Sequence, residues 1–155
     1  MKLRGALGLG GTITMTHKRG NEVLSEDVFC NTITTVGIAE VAGLINESKT
    51  GGFKYIAVGS SSTEAAAADT ALGVEITTAG LARIEATASR ETTDGTDDTA
   101  RLLHTFTATA TQAVQEVGIF DTPTSGGIIL GHHTFAAKNM EADDTLSITY
   151  DVDVD

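Results

Sequence analysis

Three aspartates in one short segment come closest to a metal-binding pattern in this sequence. Asp94, Asp97 and Asp98 follow one another closely around Gly95, and hard cations such as Ca²⁺ bind clustered carboxylate oxygens. The spacing does not match an EF-hand loop, which requires a glutamate at its twelfth position. Aspartate and glycine are also typical of turns. The segment therefore predicts either a bound cation or a solvated acidic hairpin tip.

The histidines offer a second possible metal site. His132 and His133 are adjacent, and adjacent residues of a strand point to opposite faces, so this pair cannot bind one metal ion without a third element. His17 and His104 are distant in the sequence and at no recognised ligand spacing. The sequence therefore predicts no metal site among the histidines, and no cofactor.

Nucleophile and phosphate-loop patterns are incomplete as well. Residues 8–12 read GLGGT and residues 59–63 read GSSST, but neither segment ends in the Lys-Ser/Thr pair of a P-loop. The serines lack a G-x-S-x-G elbow, and Cys30 has no acid or base beside it, which favours a small core side chain. Glu85 and Glu91 could be the acid and base of a cell-wall hydrolase, but both are expected to be exposed strand residues. We therefore predict no catalytic residue and no enzyme.

The C-terminal residues alternate between apolar and polar side chains, as a strand with two different faces would. Asp151, Asp153 and Asp155 share one face, where we expect them to be solvated or to meet a basic partner rather than to bind a metal. An acidic face of this kind would also resist edge-to-edge aggregation.

The bulk properties describe one acidic domain. The chain has 155 residues, a formal net charge of −11 and 41% hydrophobic residues. That length suits a single domain, and that charge repels nucleic acid and anionic membranes, so we expect neither as a partner. No apolar run reaches the roughly 18 residues that a transmembrane helix needs.

The elements that position these residues begin with an N-terminal arm or hairpin over residues 1–20, followed by a single β-rich domain over residues 21–155. Glycines near the start favour a flexible arm, although residues 11–16 alternate like a strand and residues 23–29 can return beside them. An arm of this kind could add a β-strand to a neighbouring protein.

One helix is predicted over residues 36–46, with Thr34 or Thr35 as its N-cap. Gly37 and Gly43 weaken it by up to about 1 kcal/mol each relative to alanine, so the helix is expected to rely on packing one face against a sheet. The apolar positions at helical spacing form the predicted packing face: Ile38, Val41, Ala42 and Ile45.

The remaining pattern is that of strands and turns. Further strands are predicted at residues 53–58, 83–89, 102–110, 114–120, 128–135 and 146–154. Residues 53–58 are apolar on both faces apart from Lys54, as in a central strand, and residues 93–98 read as a hairpin loop. The sum predicts a mainly β fold: an antiparallel sandwich or a jelly-roll-like barrel.

Four segments, in this order, resemble small structural proteins of tailed bacterial and archaeal viruses, from the head-decoration and tail-fibre groups. They read NTITTVGIA at 31–39, YIAVG at 55–59, DTALGVEI at 69–76, and VGIFD at 117–121 followed by GGIIL at 126–130. The ordered set spans most of the chain from residue 31 onward. One step differs: those proteins often have an arginine directly after the acidic step, whereas here Arg83 comes later, through either a local insertion or a changed contact.

The resemblance implies a non-enzymatic virion structural protein, and two forms remain open. The first is a capsid decoration, or cement, protein that sits on the capsid surface, binds the major capsid protein and forms a homo-oligomer, with a trimer favoured. The alternative is a tail fibre, baseplate or other tail component that recognises the host. Because most aromatic residues fall at predicted core positions, decoration is favoured over an adhesin.

Overall fold

A computed structural model describes residues 8–154, which form two five-stranded antiparallel sheets. The elements are β1 (Leu9–Arg19), β2 (Glu22–Cys30), β3 (Thr32–Ile33), α1 (Thr35–Ile45), β4 (Tyr55–Gly59), β5 (Ile84–Glu85), β6 (Thr87–Glu91), β7 (Thr99–Thr107), β8 (Gln112–Phe120), β9 (Ile129–Met140) and β10 (Thr145–Val154). The first sheet has the order β2-β1-β10-β7-β6, and the second sheet has the order β3-β9-β8-β4-β5. The predicted sandwich-type β fold is confirmed.

The main core lies between the two sheets, because alternate residues of each strand point inward. Its largest buried side chains come from both sheets: Ile13, Met15, Phe106, Ile148, Tyr150, Ile56 and Ile119. A second, smaller cluster lies on the opposite face of the second sheet and consists of Ala57, Leu72, Phe120 and Ile129. The second sheet is therefore buried on both faces, whereas the first sheet exposes its outer face.

Helix α1 follows β3 directly and packs on the backbone of β9. The hydroxyl of its N-cap, Thr34, accepts a hydrogen bond from the Gly37 N–H at 2.9 Å, and the Thr34 N–H donates to the Leu130 carbonyl at 2.9 Å. These contacts confirm both the helix and its N-cap. No helix in residues 8–154 is long and apolar enough to cross a membrane.

The predicted packing face of this helix is only partly right: Val41 packs against the main core, but the other predicted positions are exposed. Ile38 is 53% exposed and Ile45 is 79% exposed, whereas Gly37, Glu40 and Gly43 are buried. A Cβ on Gly37 would lie 2.6 Å from the Leu130 Cα, so the absence of a side chain there sets the face that approaches the sheet. The helix is apolar on more than one side, and spacing alone did not distinguish these sides.

Two strand predictions need correction. Residues 83–89 do not form one strand: β5 belongs to the second sheet and β6 to the first, and the chain crosses between the sheets at the buried Ala86. The Ala86 N–H donates to the Lys54 carbonyl at 2.8 Å, which ends the pairing with β4. The C-terminal strand β10 lies at the centre of the first sheet, so its aspartates do not protect a sheet edge.

The N-terminal residues that the structure describes are paired. Strand β1 forms a hairpin with β2 and also pairs with β10 from Leu9 to Lys18, so residues 9–12 are part of the first sheet. Residues 1–7 of the predicted arm lie outside the described residues, as does Asp155.

Candidate functional site

A buried group of charged side chains lies on the outer face of the second sheet, beneath the irregular connection of residues 60–83 between β4 and β5. Its centre is Glu116 on β8, which is fully buried. The Glu116 carboxylate accepts hydrogen bonds from three backbone N–H groups of the connection: Val74 at 2.7 Å, Gly73 at 2.8 Å and Ser61 at 3.1 Å. A connection without strand pairing leaves its N–H groups in need of acceptors, and Glu116 supplies them.

His132 on β9 joins Glu116 to the same connection. Its Nδ1 lies 2.7 Å from Asp69 Oδ2, and its Nε2 lies 3.1 Å from Glu116 Oε2. A neutral imidazole carries one N–H, so donating to both carboxylates requires the protonated ring. Burial by itself would lower the pKa of His132, but the hydrogen bonds to Glu116 and Asp69 outweigh it and raise that pKa.

The two carboxylates shift in the opposite direction. Burial would raise the pKa of Glu116, but the hydrogen bonds from His132 and from the backbone of the connection outweigh it, so this pKa is lowered. The pKa of Asp69 is lowered in the same way, by the Ala66 N–H and by His132 against burial. The group is thus one cation between two anions, and its polar atoms are occupied by one another and by the backbone.

Arg83 stabilises the other end of this connection. Its guanidinium donates twice to Glu75, at 2.9 and 2.7 Å, and lies 3.6 Å from the centre of the Phe120 ring. It also donates to the carbonyls of Thr124 at 2.7 Å and Gly126 at 3.0 Å in the β8–β9 turn. The arginine that comes late in the sequence therefore does meet the acidic residue of the 69–76 segment.

A second buried ion group ties the β1–β2 hairpin to the turn before β10. Asp144 is fully buried and accepts from Arg19 at 2.9 and 2.8 Å and from the Glu141 N–H at 2.9 Å, and it lies 3.0 Å from His17 Nε2. The hydrogen bond from Arg19, acting against burial, holds the pKa of Asp144 well below its usual range. The Asp144 carboxylate, like that of Glu116, therefore stabilises the packing of one part of the chain on another.

The predicted aspartate segment forms a closed turn between β6 and β7. Asp98 accepts from the backbone N–H groups of Gly95 at 2.5 Å and of Thr93 and Asp94 at 3.0 Å each, and these bonds lower its pKa to about 2. Asp97 has a φ of 58° and lies 3.9 Å from Arg90. No group of three or more His, Cys, Asp or Glu side chains in residues 8–154 is arranged to hold a metal ion.

The other candidate residues are placed apart from one another. His133 points away from His132 and stacks on Phe29, with ring centroids 4.7 Å apart. Glu85 and Glu91 belong to different sheets and make ion pairs with Lys54 and Arg101 respectively.

Two remaining expectations had different outcomes. Cys30 is exposed, so the prediction of a core side chain is wrong: the alternation of the edge strand β2 turns Phe29 inward and Cys30 outward. The aspartates of the C-terminal strand, which were expected to be solvated or to meet a basic partner, have partners within the chain. Arg101 donates two hydrogen bonds of 2.8 Å to Asp151, and the Thr99 hydroxyl donates to Asp153 at 2.8 Å.

Sequence reasoning did not single out Glu116 or Asp69 as interacting groups, and it noted Arg83 only as an arginine displaced from the acidic step. The available signal was Glu116 itself, a carboxylate in the largely apolar strand of residues 114–120. Such a residue needs buried donors, and the backbone N–H groups of the connection supply them. Gly59, the last residue of β4, leaves room for Glu116, because a Cβ there would clash with its Oε1. The partner of Glu116 could not be read from spacing.

The buried charged groups centred on Glu116 and Asp144 thus stabilise loops on a β sandwich. A family model described as podophage GP4 fiber I protein gp80 matches residues 45–152, more than half of the chain, and the chain belongs to this family. The protein is therefore a structural protein of a phage virion, in agreement with the broader part of the sequence resemblance. No curated protein and no solved structure matches the chain.

Proposed function

We propose that this protein is a fibre component at the tail of a podophage virion, without enzymatic activity. The family match carries the proposal: it spans β4 to β10, the larger part of the sandwich, and its description is that of a fibre protein. The match favours the tail alternative over the capsid decoration that the sequence resemblance placed first.

The buried charged residues make contacts within the chain, as is consistent with a protein that assembles with other virion proteins through its surface. Glu116, His132 and Arg83 are occupied by contacts within the chain, which leaves the outer surface for contacts with other proteins. We propose that the partners are other virion proteins at the tail and further copies of this chain, and that neither nucleic acid nor a membrane is bound, because the net charge is −11.

The test is the position of the protein on the particle. Virions are labelled with gold-conjugated antibodies against this protein and imaged, and virions from a phage that lacks its gene are the control for specificity. We expect gold particles at the tail and the loss of a fibre density in the deletion particles. Label spread evenly over the heads, with heads that break more easily in the deletion phage, would instead establish a decoration protein bound to the major capsid protein.

A further inference from the structure

The outer face of the first sheet is a regular array of hydroxyl side chains. The outward residues of β1, β10 and β7 alternate with core residues, and most of them are threonine. We call this surface the threonine face; its members are Thr12, Thr14, Thr16, Thr145, Ser147, Thr149, Leu103, Thr105 and Thr107. The register of the ladders arranges them in rows across the strands, and Thr14, Thr149 and Leu103 form the central row.

The centre of this face carries no charged side chain. The central row continues to Val28 on β2 and Thr87 on β6, so that it crosses all five strands without a charge. Two copies of a chain with a net charge of −11 repel each other over most approaches. A neutral centre of this kind lets two copies approach with little like-charge repulsion.

The face also offers apolar contact and sufficient area. Val28 is 67% exposed and Leu103 is 43% exposed in the central row, and each threonine adds a methyl group beside its hydroxyl. The five strands of the sheet, about 4.8 Å apart and roughly 30 Å long on average, make an outer face of roughly 700 Å², of which the three strands of the threonine face make roughly 480 Å². A standard interface buries about 800 Å² on each partner, so the whole outer face, including β2 and β6, is close to the size that a stable dimer needs.

Charges of opposite sign lie at the two ends of the face, and the exposed Glu26 lies beside Thr16, one row from the centre. Lys18 lies at one end, opposite Thr145, and Asp153 lies at the other end, opposite Gly10. A two-fold axis in the plane of the face and across the strands would bring the Lys18 end of one copy over the Asp153 end of the other. Asp151 is already paired with Arg101 in its own chain, so it adds little net charge.

We propose that the threonine face binds the same face of a second copy of this chain. The contact is isologous: each copy contributes the same surface, and the two sheets pack face to face. This self-association goes beyond the proposed tail location, because it can be measured on the purified protein and does not depend on where the protein sits on the virion. A two-fold contact can also join two trimers.

The first experiment introduces a negative charge at the centre of the face. Thr149→Glu and Thr14→Glu are compared with Thr63→Glu, the same substitution at an exposed loop position away from the face. Mass is measured by light scattering after gel filtration over a range of concentrations, with circular dichroism as the check of folding. We expect the unmodified chain and Thr63→Glu to contain an even number of copies, and both face variants to associate at least about tenfold more weakly.

Two results would overturn the proposal. The first is an unmodified chain that stays monomeric throughout; if the face variants then also failed to attach to virions, another virion protein would be the occupant. The second is an oligomer whose mass is the same in Thr149→Glu, Thr14→Glu and the unmodified chain.

A charge exchange tests the two-fold arrangement. Lys18→Glu alone should weaken association, because it places an acid opposite Asp153 of the second copy. Adding Asp153→Lys to this variant should restore association. A double variant that associates no better than Lys18→Glu would contradict this arrangement of the two copies.

Discussion

The two sheets of this sandwich use polar side chains in opposite ways. The first sheet is built from long, regularly paired strands, and the centre of its outer face presents neutral side chains, mostly threonine, to solvent, with charged residues toward its ends. The outer face of the second sheet is covered by the irregular residues 60–83, and the contacts beneath them are made by buried ions such as Glu116 and Arg83. The backbone of a ladder pairs with itself, whereas the backbone of an irregular connection needs side-chain partners, and the buried Glu116 supplies them to the connection that covers it.

The largest effect is expected from Glu116→Ala. This change removes the acceptor of three backbone N–H groups and leaves the His132 ring with one carboxylate in a buried site. Breaking a buried pair of this kind lowers the free energy of unfolding by about 4 kcal/mol. Chemical denaturation measures it, with the exposed Glu64→Ala as the control, expected within about 0.5 kcal/mol of the unmodified chain. A loss below about 1 kcal/mol would contradict the role given to Glu116.

Arg83→Met tests the other end of the connection. The substitution keeps an apolar stem on the Phe120 ring but removes the donors to Glu75 and to the carbonyls of the β8–β9 turn. We expect a loss of about 3 kcal/mol in the free energy of unfolding, because a nearly buried ion pair loses one partner. Arg90→Met is the matched control, since the Arg90 side chain is 74% exposed. Equal losses in the two variants would show that Arg83 has no special role.

The two buried glycines of α1 approach different neighbours: backbone at Gly37 and a side chain at Gly43. A Cβ at position 37 meets the Leu130 backbone, which cannot move aside, so we expect Gly37→Ala to cost about 2 kcal/mol. A Cβ at position 43 meets Cγ of the Lys49 side chain, which can shift more readily than backbone, and alanine is the better helix former, so Gly43→Ala should cost less than Gly37→Ala. Thermal melts of both variants check the order, and a more stable Gly37→Ala would contradict the packing described here.

These two glycines show where sequence reasoning reached its limit. Their cost to the helix and the need for packing were predictable from helix propensity. The side that packs was not, because it depends on a 2.6 Å approach to Leu130 on a strand far away in the sequence. The strands of the first sheet were predictable because period-2 alternation reports one buried face. Residues 83–89 show the same alternation but cross between the sheets, and tertiary pairing decides that.

The buried ion groups were harder to predict than the strands. The sequence marks Glu116 as unusual, but the partners of a buried carboxylate are chosen by the fold: Asp69 and His132 are 63 residues apart and meet only when the connection covers β9. The resemblance to phage structural proteins identified the class of protein, and it rests on segments such as residues 69–76, which contain Asp69. Capsid decoration was placed before a tail fibre because most aromatic residues fall at predicted core positions, and that distribution does not distinguish the two positions on the virion.

A more gradual effect is expected from pH. The pKa of His132 is raised above its ordinary 6.5, so the stability that its charge contributes is complete below that value and is lost as the pH rises through the raised pKa. We expect the melting temperature to fall as the pH rises above about 6.5, and this fall to be smaller in His132→Gln. His133→Gln is the control, because burial lowers the pKa of His133 and its ring lies on the other face. An unchanged fall in His132→Gln would assign the pH dependence to other groups.

The smallest effect is expected on the outer face of the first sheet. The Thr105 hydroxyl donates to Ser147 at 3.0 Å in an exposed cross-strand pair, and Thr105→Val removes this bond while keeping the branched shape that suits a strand. Because water can replace an exposed hydrogen bond, the free energy of unfolding should change by less than about 0.5 kcal/mol. The measurement is made at concentrations where the melting temperature does not depend on the amount of protein. A loss above about 1 kcal/mol would mean that hydroxyl pairs hold the first sheet together as the ions hold the second, and the contrast between the two faces would fail.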